Sequence, residues 1–211
     1  MTVHTLALTL AYVGSAIGVS MVVPQIVRIL RHPAMTGVSP WTWAMTAVSC
    51  TGWMTYGVRS GSLPQIPGNV LLVSGAIAIV LLVPAAWSRQ VRALALLGSM
   101  VLVVAVSTRL APETVGFLAL AIGLGSMWPQ VIETVWLRRG MGPSALSLTS
   151  NSLKIGSQLC WLSFALLTTD VPVVISASMA LSTNAAVSLV ELSRRRSWTA
   201  ADVPGRVLEP A

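Results

Sequence analysis

The sequence predicts an all-α membrane protein of seven transmembrane helices, arranged as two parallel three-helix repeats joined by a linker helix. Three observations predict it. The first is charge poverty: 55% of the residues are hydrophobic and only 9% charged, against roughly 25% charged in an ordinary soluble domain. The second is a set of apolar runs, each near the ~20 residues a helix needs to cross the hydrocarbon core. The third is a stretch of the first half of the chain that recurs in the second half. No water inside the bilayer satisfies backbone groups, so spanning segments are helices or closed barrels. These runs lack the alternation of barrel strands, which leaves helices.

The spans read as about 5–27, 40–58, 68–87, 93–108, 114–136, 147–167 and 171–191. The first is kept as a mature helix rather than a signal peptide. Its leading residues, MTVHT, hold no Lys or Arg, and the span recurs later in the chain. The fourth is the shortest. Residues 1–88 then form a first three-helix repeat, 89–112 the linker helix, 113–193 the second repeat and 194–211 a basic tail, expected to be a disordered cytoplasmic end from Ser197 on.

The net charge of +7 is sided rather than spread. Seven spans make the loops alternate between the two faces of the membrane. Arg28, Arg31, Arg89, Arg92, Arg138, Arg139, Arg194, Arg195, Arg196 and Arg206 fall on one side, and only Arg59 and Arg109 on the other, near Glu113 and Asp170. Lys and Arg gather on the cytoplasmic side, which predicts an external N-terminus and a cytoplasmic C-terminus in an integral membrane protein of the cell membrane. The distribution speaks for a bilayer and against a nucleic-acid partner.

Chemistry has little foothold. Cys50 and Cys160 lie singly within the second and sixth spans, as buried packing thiols do, with no sign of a metal site or disulfide. Phosphate-binding glycine loops, HExxH and Gly-x-Ser-x-Gly are all missing from the sequence, and His4 and His32 have no carboxylate at catalytic spacing. No enzyme, cofactor or metal centre is expected.

The duplication is the informative feature. Residues 17–31 read IGVSMVVPQIVRILR and residues 122–138 read IGLGSMWPQVIETVWLR, with Ile-Gly and Pro-Gln in register at an offset of 105. Three extra residues in the next loop change the offset to 108. Val38-Ser39 then matches Leu146-Ser147, Trp53 matches Trp161, Tyr56 matches Phe164 and Pro64 matches Pro172. Two copies of an odd number of spans would point in opposite directions if joined directly. One extra helix restores the same direction, giving parallel repeats about an axis along the membrane normal.

A Pro-Gln pair ending the first helix of a three-helix unit, duplicated around a linker, resembles the PQ-loop superfamily. The 3+1+3 layout with Trp-x-x-aromatic late in each second helix resembles its SWEET branch. The resemblance covers about residues 5–192. It implies a facilitative, alternating-access carrier of a small solute, with a mono- or disaccharide favoured. Two other readings stay open: an amino-acid or organic-anion carrier of the same fold, and a non-transporting receptor or assembly protein. Association with further copies of the chain also stays open.

Particular residues carry these expectations. Pro24 and Pro129 lack a backbone donor, which frees the carbonyls of Ser20 and Gly125 and lets each helix bend. Gln25 and Gln130 offer side-chain groups to the freed backbone. Paired bends would form a hinge for a cytoplasmic gate, whereas lone prolines are tolerated in membrane helices. Trp53 and Trp161 are either interface anchors or faces on which a sugar stacks; the resemblance makes Trp161 a pocket residue. Asn69 enters the third span, where an unpaired amide is costly, and the resemblance makes it a sugar ligand. The second copy departs there, reading Ser176-Ala177-Ser178, with Asn184 two turns beyond Ala177 on the same face. Asn184 either serves a deeper pocket or bonds a neighbouring helix. Asn151, Lys154 and Gln158 form one stripe on the sixth span. Lys154, the only lysine, either snorkels, pairs with Glu133 or holds an anionic group of the solute.

Overall fold

The computed structural model describes residues 2–31, 40–83, 86–132 and 148–197. Among these residues the regular structure is entirely α-helical: α1 (Val3–Ser20), α2 (Val22–Arg31), α3 (Pro40–Ser60), α4 (Gln65–Leu82), α5 (Arg89–Ser107), α6 (Pro112–Ile132), α7 (Leu148–Thr168) and α8 (Val171–Ser197). Four of them, α1, α4, α5 and α8, are long and apolar enough to cross a membrane, with mean hydropathies of 1.4, 1.9, 1.9 and 1.7. Helix α3 is more polar, and it packs against α4, α5 and α6 at once. The hydroxyls of Thr46, Thr51 and Thr55 donate to carbonyls one turn back on their own helix, each at 2.9 Å, which satisfies them inside an apolar bundle.

Local chemistry sets the helix ends. Thr2 caps α1 by accepting from the Thr5 amide, and Ser88 caps α5 by accepting from Val91. Helix α4 stops at Leu82 because Val83, extended at ψ 131°, precedes Pro84, which disfavours the helical region for the residue before it. After α3 and α7 the chain turns through left-handed residues, Gly61 at φ 72° and Thr169 at φ 55°. Two arginines close helix ends that would otherwise leave orphan carbonyls. Arg59 donates to the carbonyls of Ser107 and Leu110 at the end of α5, and Arg92 to those of Val80 and Val83 at the end of α4.

Several expected boundaries move. The third span begins at Gln65 and ends at Leu82 rather than covering 68–87, since Pro67 is tolerated in a first turn. The fourth begins at Arg89, so Arg89 and Arg92 belong to the helix. The last extends to Ser197 and carries Arg194, Arg195 and Arg196 in its final turn, where cations offset the helix dipole. The first span, expected as one bent helix, is two helices broken at Met21, next to the Ser20 carbonyl that Pro24 leaves without a partner. Helix α6, in contrast, runs without a break through Pro129 to Ile132. At the break, the Ser20 hydroxyl donates to the Ile17 carbonyl at 2.7 Å.

Packing runs in corresponding pairs. α1 packs on α4 as α6 packs on α8, α3 on α4 as α7 on α8, and α1 on α7 as α3 on α6. The last two contacts rest on small residues. A Cβ at Gly14 would come within 2.9 Å of the Cys160 Cβ, and one at Gly52 within 2.9 Å of the Ala119 Cβ. Buried Ser157 donates to the Gly14 carbonyl at 2.7 Å, and buried Ser49 to the Ala119 carbonyl at 2.8 Å. Under the offsets of 105 before the long loop and 108 after it, Gly14 matches Ala119 and Ser49 matches Ser157. Helix α5 lies outside these pairs, against α3 and α4, and turns Leu94, Val101 and Leu102 outward.

Candidate functional site

The residues that each helix exposes mark its outer side, and the opposite side is its inner face. On α7 the exposed Leu153, Leu159, Leu166 and Leu167 gather on one side, at about 100° per residue. Roughly opposite them stand Lys154 and, two turns on, Trp161. Asn151 and Ser157 flank that inner strip, Asn151 toward α8 and Ser157 toward α1. On α4, exposed Val70, Leu71 and Ser74 define the outer side, and Asn69 belongs to the inner half.

At one end of the bundle the interior is closed by aromatic residues. Tyr56 and Phe164 are 4% and 3% exposed and share one apolar cluster with Ala7, Ala11, Val115, Ala165 and Val173. Trp53 and Trp161 pack against it. Trp53 meets Tyr56 edge-on at 5.8 Å and 82°, and Trp161 meets Phe164 at 5.6 Å and 88°. Edge-to-face pairs at such separations contribute about 0.5–1.5 kcal/mol beyond their burial. Above this layer the Tyr56 hydroxyl donates to Asp170 Oδ1 at 2.7 Å, and Gln65 Nε2 approaches Oδ2 at 3.4 Å. Asp170 also caps α8 by accepting from the Val173 amide at 3.3 Å. Burial pushes the Asp170 carboxyl above the usual carboxylate range, while the bonds from Tyr56 and the Val173 amide pull it back. One carboxylate thus ties the end of α3 and the start of α4 to the loop before α8.

The expected site residues divide accordingly. Trp53 and Trp161 come together in the aromatic layer. Asn69 donates from Nδ2 to the Gln65 carbonyl at 2.6 Å, which leaves its Oδ1 without a donor among the described residues. Ser176, half-buried on α8, stands at the position matching Gly68. Asn151, 2% exposed, donates to the Asn184 carbonyl and to the Ser188 hydroxyl, while the Asn184 amide donates to Ala180 on its own helix at 2.7 Å. Asn151 thus ties α7 to α8 through the Asn184 backbone carbonyl and the Ser188 hydroxyl. Pro24 and Gln25 lie in α2, and Pro129 and Gln130 in the last turns of α6; Glu133 lies outside the described residues. Cys50 is buried and Cys160 half-buried, and both are free thiols.

Lys154 makes no hydrogen bond or ion pair with any described residue. The matching position of the first half is Thr46, bonded to its own helix, so one cation faces inward without a counterpart. A shallow groove of about 570 Å³ lies elsewhere, on the outer flank of α8 between Leu189, Leu192 and Arg196.

Sequence reasoning missed two features. Asp170 reads in the sequence only as a loop charge, although its place just after a left-handed turn and before α8 is that of a capping residue. Ser49 and Ser157 went unremarked, although they match each other and face Ala119 and Gly14, small residues that also match. A scan against protein-family models matches none, and a search of curated proteins finds no significantly similar sequence.

Proposed function

We propose that the chain is a facilitative, alternating-access carrier of a small polar solute, built as seven spans in two parallel repeats around a linker helix, in the manner of the SWEET branch that its Pro-Gln duplication resembles. The observation that carries this reading is the matching of Ser157–Gly14 with Ser49–Ala119. Two halves that meet through equivalent hydrogen bonds and equivalent glycine contacts can rock about an axis between them without losing either interface. The spans are α1 with α2, α3, α4, α5, α6, α7 and α8. The arginine distribution orients them with the N-terminus outside, so the Tyr56–Asp170 tie and the aromatic layer lie at the external end.

In this reading the described conformation is shut toward the outside. Opening it requires Tyr56 and Asp170 to part and the Trp53–Tyr56 and Trp161–Phe164 pairs to separate. The solute sits between the halves below that layer, where Asn69 presents a free acceptor, Trp161 and Trp53 present ring faces and Ser176 lines the facing half. The break at Met21 beside Pro24 supplies the hinge in the first half. With no nucleotide-binding loop in the sequence, the gradient of the solute drives the flux.

Purified protein reconstituted in liposomes tests this with a panel of labelled neutral sugars, sugar acids and amino acids taken up down their gradients. The expectation is saturable uptake that Asn69→Ala lowers at least tenfold without loss of folded protein. Folded protein that moves no member of the panel overturns the proposal.

A further inference from the structure

We infer that the solute carries a carboxylate and that Lys154 binds it, which makes the transported class a small hydroxylated acid of the sugar-acid kind. The inference rests on the carrier reading and narrows its substrate. Lys154 stands on the side of α7 opposite the lipid-exposed Leu153, Leu159 and Leu166. That side of α7 faces α1 and α8, the helices that α7 packs on. Trp161 occupies the same strip two turns on, so the cation and the ring lie along one path.

Of the described carboxylates, Glu113 is exposed in the first turn of α6 and the other two are engaged elsewhere. Asp170 holds Tyr56 at the far end of α7, and buried Glu191 is paired with Arg195 on α8 at 3.0 Å. An inward ammonium group in surroundings poor in water is best completed by an anion that arrives with the solute. The inner faces also hold neutral polar groups, the Asn69 Oδ1, Ser176 and Thr46, which suit hydroxyls. They offer an α-ammonium group no carboxylate among the described residues, so a hydroxy acid fits where an amino acid would set its own cation against Lys154. The first half places Thr46 at the matching position, so the preference comes from one half alone and fixes the direction in which the solute lies.

Uptake of D-gluconate and D-glucose by liposomes with the membrane potential clamped compares two probes that differ chiefly in the carboxylate. The expected result is gluconate uptake at least tenfold above glucose, accelerated by an inside-positive potential as net movement of an anion requires. Lys154→Gln should lower gluconate uptake tenfold or more, leave glucose within twofold and keep or raise the melting temperature. Lys154→Arg should keep most of the gluconate flux. Glucose moving as fast as gluconate, or gluconate flux indifferent to Lys154→Gln, overturns the inference and leaves the carrier standing. Amino-acid uptake without gluconate uptake does the same. Folded protein that moves none of these solutes overturns the carrier reading and the inference with it.

Discussion

The Ser157 hydroxyl donates to the Gly14 carbonyl at 2.7 Å across the contact between α7 and α1. That approach is close because Gly14 has no side chain, and the same arrangement joins Ser49 to Ala119 across the contact between α3 and α6 at 2.8 Å. In a bilayer, where lipid tails are as apolar as leucine, helices associate through close packing and hydrogen bonds between helices rather than through a hydrophobic force. Small residues are therefore the interface itself, and they set the first prediction.

Gly14→Ala and Gly52→Ala each place a Cβ 2.9 Å from a neighbouring Cβ and should destabilise the protein by about 1–3 kcal/mol, the usual cost of overpacking. Gly98→Ala and Gly156→Ala meet nothing within 4 Å and should be neutral or stabilising. Thermal unfolding in detergent checks all four; equal effects across the set would contradict the packing assigned to α1, α3, α6 and α7.

Thr169 adopts φ 55° where the matching position is Gly61 at φ 72°. A β-branched residue is strained in the left-handed region, by roughly 1–2 kcal/mol. Thr169→Gly should raise the melting temperature and Gly61→Thr should lower it. Opposite signs in the two variants are the result to look for, and a fall in both would refute the account of these turns.

The Asp170 carboxyl is raised by burial, against the pull of its bonds from Tyr56 and the Val173 amide. A folded-state pKa above the unfolded value of about 3.9 contributes stability that is complete below that unfolded value and lost as pH rises through the folded one. Wild-type stability relative to Asp170→Asn should thus decline from acid toward neutral pH. Melting curves of the two proteins across that range decide it, since a gap that stays constant or widens in favour of wild type removes Asp170 as the cause.

Pro24 follows the break at Met21, whereas Pro129 lies in unbroken α6. Pro24 is the third residue of α2, where a proline is tolerated; Pro24→Ala restores a backbone donor that can bond the Ser20 carbonyl and favours a continuous first span. Equal or higher melting temperature with several-fold lower flux is expected. Pro129→Ala should act in the same direction but more weakly, because its helix is already continuous. Normal flux in both variants would end the hinge idea and leave the fold untouched.

A cysteine at position 200, in a background without Cys50 and Cys160, should be labelled by a membrane-impermeant thiol reagent only after the membrane is opened. Labelling from outside intact cells would reverse the orientation that the arginines predict.

Composition and order along the chain determined the helical class, the rough extents of the apolar helices and the matched positions. Those are local: an apolar run poor in charge leaves water, and a helix satisfies its backbone groups within the segment whatever its neighbours are. Tertiary structure decided what one-dimensional spacing does not contain. Only packing shows that Asn151 bonds α8, that Arg59 and Arg92 close helix ends, that Asp170 accepts from Tyr56, and that the chain breaks at Met21 while α6 stays whole. Each of these turns on which residues from distant parts of the chain meet, 114 residues apart for Tyr56 and Asp170. A hydrogen bond acts over about 3 Å, so its partners are settled by helix rotation and approach, which the close packing of small residues between helices sets and no residue specifies alone.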